Sequence, residues 1–113
     1  MGRLNLGSLR SASTVRTYPV EEEELRTAVE EAVGKMPRWS LEYSSEGEVR
    51  IIRKTGLFGF KDDVTIRLET LPGGTRADFR SASRVGMWDF GKNGRNLRKL
   101  LGAIYRELNT DGH

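Results

Sequence analysis

Four consecutive segments between residues 38 and 84 alternate apolar and polar side chains, the pattern of β-strands with one buried face. We predict strands over residues 38–45, 48–55, 62–70 and 75–84. Their connections are too short to carry a crossover, so consecutive strands must pair antiparallel. The sequence therefore predicts an antiparallel meander with a single apolar face.

The first of these strands carries the largest side chains. Its alternation is expected to place three of them on one face of the strand: Trp39, Leu41 and Tyr43.

Two further segments carry apolar residues at helical spacing. Residues 20–34 begin with glutamates, which suit the positive end of a helix, and Gly34 is placed to end it. Residues 92–108 have the clearest helical pattern, because one stripe holds Leu97, Leu100, Leu101, Ile104, Tyr105 and Leu108. A short strand over residues 12–18 precedes the first helix, and residues 1–11 are expected to form a flexible arm.

These elements give the order β-α-β-β-β-β-α in a single domain over residues 12–109. Both helices must cover the apolar face of the sheet, since each element has one such face to bury. We therefore predict an α+β protein with a twisted antiparallel sheet and two helices packed on one face. This arrangement resembles a reduced helix-grip fold, in which a sheet wraps a long C-terminal helix and leaves a groove between them.

The chain contains no cysteine, and its single histidine is the last residue, His113. Disulfides and thiolate metal sites are therefore excluded, and a Ser-His-Asp triad or a histidine metal cluster is disfavoured. We expect no metal and no cofactor. No apolar run reaches the ~18–20 residues of a membrane helix, and the first residues lack the apolar stretch of a signal peptide. We therefore expect a cytoplasmic protein without membrane contact.

The charged residues are numerous and unevenly placed. Nineteen Lys and Arg residues against sixteen Asp and Glu residues give a net charge of +3. Acids concentrate in residues 21–31 and bases in residues 92–106. Because acids elsewhere offset the basic segment, nucleic acid is disfavoured as a partner. We expect a small ligand or a protein partner, and a monomer or homodimer.

Residues 86–93 come close to the phosphate-binding pattern G-x-x-x-x-G-K-[ST], but Asn93 replaces the hydroxyl residue that holds magnesium. The bulky or anionic Trp88, Asp89 and Phe90 would also keep phosphate away from the backbone. We therefore interpret the segment as a turn and a helix start, with Asp89 or Asn93 as the cap.

Asp62 and Asp63 are neighbours in a strand and point to opposite faces, so they cannot share a metal or a proton unless the strand bulges. We predict an ionic network, at least half buried, that fixes the C-terminal helix to the sheet and consists of Asp63, Arg80, Arg84 and Asp89. A ligand site made of the same residues is the alternative.

Two connecting segments are rich in large apolar residues: Leu57, Phe58, Phe60, Trp88 and Phe90. They predict either a closed cluster at one end of the sheet or the lip of an apolar groove.

The run RSASRVG at residues 80–86, followed by Asp89 and Asn93, resembles the signature of the domain of unknown function 1499 family. The upstream run FKDDV at residues 60–64 is similar to that family's segment of an aromatic residue followed by D-D-V. The family implies no known activity. The resemblance therefore implies the limits of the fold and a special role for residues 80–93.

We predict a non-catalytic domain that binds a small ligand or a protein, with an apolar or anionic ligand held between the sheet and the C-terminal helix. The expected binding residues are Asp63, Arg80, Arg84, Asp89, Asn93, Phe58, Phe60 and Trp88. The alternative is an enzyme that acts on a small substrate in the same groove, with the acid–base candidates Asp63, Asp89, Tyr43 and Tyr105.

Overall fold

The computed structural model describes residues 5–8, 11–54, 59–84 and 91–110, and within these ranges it contains six strands and two helices. They are β1 (Asn5–Ser8), β2 (Ser11–Tyr18), α1 (Glu22–Gly34), β3 (Trp39–Ser45), β4 (Glu48–Lys54), β5 (Lys61–Leu71), β6 (Gly74–Ser83) and α2 (Lys92–Thr110).

The six strands form one antiparallel sheet in the order β1-β2-β6-β5-β4-β3. Strands β3 to β6 are the predicted meander, which is confirmed. Strand β2 lies beside β6, so the chain must cross four strand spacings, about 19 Å, to reach β3. The 13 residues of α1 make a helix about 20 Å long, which is enough for that crossing.

Strand β1 is a difference from the sequence prediction. It pairs antiparallel with β2 and lies in the segment predicted as an arm. Its sequence, NLGS, has no apolar alternation, so its pairing was not visible from the sequence.

Both helices pack on one face of the sheet, which we call the inner face. Its central side chains in β5 and β6 are Val64, Ile66, Ala77 and Phe79, all at most 1% exposed. They lie in one core with buried residues of the two helices: Leu25, Val29, Ala32, Val33, Leu97, Leu100 and Ile104. The predicted α+β fold with two helices on one face is confirmed.

A β-bulge in β3 changes the face of one predicted residue. The register with β4 pairs Leu41 with Ile51 but Tyr43 with Arg50, which leaves Glu42 as the extra residue. An extra residue reverses the alternation beyond it. The expectation that Tyr43 shares a face with Trp39 was therefore wrong, and Tyr43 lies on the opposite, outer face of the sheet.

The far ends of the helices are joined by an ion pair. Lys35, which follows the last residue of α1, has its Nζ 2.7 Å from Oε2 of Glu107 near the end of α2. Glu107 is 7% exposed, so this contact compensates a largely buried charge.

Candidate functional site

The residues that carry the family resemblance lie on the neighbouring strands β5 and β6 and alternate between the two faces of the sheet. Asp62 and Ser81 are fully buried on the inner face. Their neighbours Asp63 and Arg80 therefore point to the outer face. The two short runs at residues 60–64 and 80–86 thus supply side chains to two separate sites.

The inner site surrounds the start of α2. We call it the polar cluster, and it consists of Arg53, Asp62, Ser81, Ser83, Lys92, Asn93 and Asn96.

Asp62 is the anionic centre of the polar cluster. Asn96 donates a hydrogen bond from Nδ2 to its Oδ2 at 2.9 Å, and Arg53 Nη1 lies 3.9 Å from the same oxygen. Lys92 Nζ lies 3.1 Å from Oδ1. The Lys92 contact is an ion pair without hydrogen-bond geometry, since Oδ1 accepts no hydrogen bond from a described residue. The carboxylate is therefore compensated in charge by two cations.

Hydrogen bonds between side chains join β6 to the first turn of α2. Ser81 donates from Oγ to Oδ1 of Asn93 at 2.6 Å, and Asn93 donates from Nδ2 to Oγ of Ser83 at 3.0 Å. Asn96 donates to Oγ of Ser81 at 3.2 Å. Asn93, a predicted candidate for the helix cap, thus uses its side chain to bind the sheet.

The polar cluster positions α2 and offers little access to a substrate. Asp62 is 0% exposed and Asn93 is 0% exposed. Buried polar groups with mutual hydrogen bonds specify one packing arrangement, because each partner would be costly to leave unpaired. The arrangement therefore fixes the start of α2 on the inner face.

Asp63 and Arg84 form the one pair of the predicted ionic network that the described residues contain. Arg84 donates from Nε to Oδ2 and from Nη2 to Oδ1, both at 2.8 Å. The side chains are 37% and 41% exposed, so the pair is a surface contact on the outer face. The hydrogen bonds from Arg84 hold the pKa of Asp63 below its ordinary value. Arg80 is not part of this pair, and Asp89 lies outside the described residues.

The outer face carries a row of residues without an acid, one from each of five neighbouring strands. We call it the outer row, and it consists of Ser13, Arg80, Thr65, Arg50 and Tyr43 in that order. Directly paired residues lie about 5 Å apart across a sheet. Arg50 and Arg80 therefore flank Thr65 from the two strands beside it.

Arg50 is oriented by its neighbours in β3 and β4. Its Nε lies 3.5 Å from Oε2 of Glu48, and its Cζ lies 6.0 Å from the centre of the Tyr43 ring. Tyr43 donates from its hydroxyl to Oε1 of Glu48 at 2.5 Å. This hydrogen bond lowers the pKa of Glu48 and raises the pKa of Tyr43. Tyr43 and Glu48 thus hold the Arg50 guanidinium within the outer row.

An open depression of about 540 Å³ lies over four of the five residues of the outer row, from Ser13 to Arg50. Its lining includes Ser13, Val15, Arg50, Thr65, Arg67, Asp78 and Arg80. The single acid in this lining, Asp78, is engaged by Arg76, whose Nε lies 3.1 Å from Oδ1. Among the described residues, no carboxylate lies within ion-pair distance of Arg67 or Arg80.

The remaining candidates from the sequence do not converge on one place. Phe60 precedes β5 and is 41% exposed, whereas Tyr105 is 67% exposed on α2. Phe58 and Trp88 lie outside the described residues, as do Leu57 and Phe90. The acid–base set proposed for an enzyme is therefore divided, since Tyr43 and Asp63 lie on the outer face of the sheet and Tyr105 on a helix of the inner face.

Sequence reasoning missed Asp62 as a buried centre, and it missed Arg50, Thr65 and Arg67 on the outer face. The position of Thr65 could have been predicted from the sequence of the turn between β5 and β6. The turn between β5 and β6 pairs Leu71 with Gly74, and this register places Thr65 opposite Arg80.

Two kinds of feature are absent from the described residues. These residues contain no group of three or more His, Cys, Asp or Glu side chains arranged to hold a metal ion. Neither described helix combines the length and the apolar content needed to span a bilayer.

The sequence matches a family profile over most of its length. The profile is described as "Protein of unknown function (DUF1499)" and covers residues 8–104. The chain belongs to this family. The suspected membership, based on residues 60–64 and 80–93, is thereby confirmed. None of the curated proteins matches the sequence.

Solved structures with the same fold share little sequence with this family member. CalU16 from Micromonospora echinospora is 12% identical with a TM-score of 0.62, and the match covers 95% of this chain and 84% of that one. A protein from Rhodobacter sphaeroides is 15% identical with a TM-score of 0.58, and the match covers 97% and 96% of the two chains. At this identity the similarity shows the fold alone.

Proposed function

We propose that this protein is a non-catalytic binding domain that takes a small anionic ligand on the outer face of its sheet. The observation that carries the proposal is the outer row, in which Arg50 and Arg80 flank Thr65 at the floor of an open depression. Its volume of about 540 Å³ lies within the range of small-molecule sites. Guanidinium groups are suited to carboxylates and phosphates, because they donate two parallel hydrogen bonds.

The proposal moves the ligand away from the sheet–helix interface, where the sequence analysis expected it. In the described part of that interface, Leu97, Leu100 and Ile104 are fully buried against the sheet. The start of α2 is bonded to the sheet through the polar cluster. A ligand beneath α2 would have to displace these contacts, whereas the outer face is open.

The titratable groups on the outer face favour binding over catalysis. General acid–base catalysis is most effective when the pKa of the group lies near the working pH. Here the pKa values of Asp63 and Glu48 are lowered, and the pKa of Tyr43 is raised. All three shifts lead away from neutrality, so these groups keep one protonation state near pH 7.

Calorimetric titration with succinate and with inorganic phosphate at low ionic strength tests the proposal. We expect saturable binding of at least one anion to the wild type and about tenfold weaker binding to Arg80→Ala, because a charged hydrogen bond is lost. Arg98→Ala, an exposed change on α2, alters the net charge equally and is the matched control. Absence of saturable binding, or equal weakening in both variants, contradicts the proposal.

A further inference from the structure

We infer that the ligand of the outer row is a small phosphate monoester, held by Arg50, Arg67 and Arg80 around the hydroxyl of Thr65. The inference rests on the proposed function, since it names the class of ligand for the same site. It follows from how the three arginines are distributed, from the net charge of the depression and from its size.

The three arginines surround Thr65 from three directions. Arg50 and Arg80 are its direct partners on β4 and β6. Arg67 is two residues further along β5 and therefore points to the same face, about 7 Å along the strand. A carboxylate offers two oxygens in one plane, whereas the phosphate of a monoester offers three terminal oxygens in a tetrahedral arrangement. Three guanidinium groups and one hydroxyl match the tetrahedral group better.

The charge of the depression also favours this group. Its lining contains three arginines and one aspartate, a net charge of +2, which the neighbouring carboxylate of Glu48 lowers to +1. A phosphate monoester carries close to two negative charges at pH 7, because its second pKa is about 6. A phosphodiester carries one negative charge, and it has two esterified oxygens that accept hydrogen bonds weakly. The site should therefore prefer the monoester.

Two arginines are available without the loss of an existing ion pair. Neither Arg67 nor Arg80 has a carboxylate of the described chain within ion-pair distance. Glu48 contacts Arg50 at Nε, which is one edge of its guanidinium. Glu48 is the one described carboxylate within ion-pair distance of Arg50, and a guanidinium has five N–H donors, so donors remain for an oxygen of the ligand.

The size of the depression indicates a small molecule. At about 540 Å³ it exceeds a single phosphate and accommodates the body of a small ester. Val15 lines the same depression beside Asp78 and supplies an apolar surface for that body.

The test compares three probes at pH 8: methyl phosphate, dimethyl phosphate and succinate. Methyl phosphate and dimethyl phosphate differ in charge and in the number of free oxygens, and succinate is a dianion without a tetrahedral group. We expect methyl phosphate to bind at least tenfold more tightly than either of the others. Equal affinity for methyl phosphate and succinate overturns the inference and leaves the proposed function intact. Absence of binding by all three overturns both.

Three variants test whether Arg67, Arg80 and Thr65 produce the preference for methyl phosphate. Arg67→Ala and Arg80→Ala should each weaken binding of methyl phosphate about tenfold and reduce its preference over dimethyl phosphate. Thr65→Val removes the hydroxyl at nearly constant shape and should weaken methyl phosphate more than succinate. Arg98→Ala should leave all three affinities unchanged. A normal preference in Arg67→Ala overturns the three-arginine arrangement.

Discussion

Asp62 and Asp63 show how strongly the environment of a single residue depends on the alternation of a strand. Asp62 is fully buried among Arg53, Lys92 and Asn96, whereas Asp63 faces solvent with Arg84. The burial of the first carboxylate makes its partners costly to remove. The exposure of the second allows water to replace its partner.

These two neighbours provide a matched comparison of stability. Asp62→Ala leaves the largely buried cations Arg53 and Lys92 without their anion. It should lower the free energy of unfolding by about 3–5 kcal/mol. Asp63→Ala breaks an exposed ion pair and should lower the free energy of unfolding by less than about 1 kcal/mol. Urea unfolding of both variants checks the difference. Equal destabilisation would show that Asp62 is not the compensated centre of a buried cluster.

The Asp63–Arg84 pair also predicts a pH dependence. The folded protein holds the pKa of Asp63 below its ordinary value, so the pair stabilises the fold above the unfolded pKa. That stabilisation is lost as the pH falls through the lowered pKa of the folded state. Carboxyl-carbon NMR should show the titration of Asp63 moving upward in Arg84→Ala and staying in place in Arg98→Ala. If the pKa of Asp63 does not change in Arg84→Ala, the hydrogen bonds from Arg84 are not what lowers it.

At the scale of elements, α2 is held at both ends by polar contacts and in the middle by apolar packing. Its first turn is bonded to β6 through Asn93 and Asn96, and Glu107 near its end pairs with Lys35. Between them, Leu100 and Ile104 are fully buried. The polar cluster therefore determines where the helix starts on the sheet.

Loss of one amide from the polar cluster should loosen only the start of α2. Asn96→Ala removes the hydrogen bonds to Asp62 and Ser81. It should lower the free energy of unfolding by about 1–3 kcal/mol, because buried groups are left without partners. Amide hydrogen exchange should accelerate at residues 93–97 more than at residues 100–108. Asn109→Ala, which removes only an exposed bond to the Tyr105 carbonyl, is the control. Uniform acceleration along α2 would contradict this account.

The sequence predicted most elements because their patterns are local. The helix over 92–108 and the strand over 62–70 agree with α2 and β5 within two residues. The bulge at Glu42 was not predicted, because an extra residue in a strand can be recognised only when its pairing with the partner strand is known. Asp62 could not be assigned its partners, since Lys92 and Asn96 come 30 or more residues later and depend on where α2 packs.

At the scale of the whole molecule, the sheet separates the polar residues of the family motif into two sets with different roles. The inner set, represented by Asp62 and Ser81, is buried and positions a helix. The outer set, represented by Arg80, joins residues from other strands in an open row. The α+β architecture could be predicted from the order of elements, but the outer row could not, because it combines the registers of five strands.

A ligand bound at the outer row should leave the start of α2 unchanged. Amide chemical shifts of the labelled protein during a titration with methyl phosphate show where the ligand binds. We predict saturable shifts at Ser13, Arg50, Thr65, Arg67 and Arg80. Saturable shifts confined to residues 91–96, at the start of α2, would contradict it.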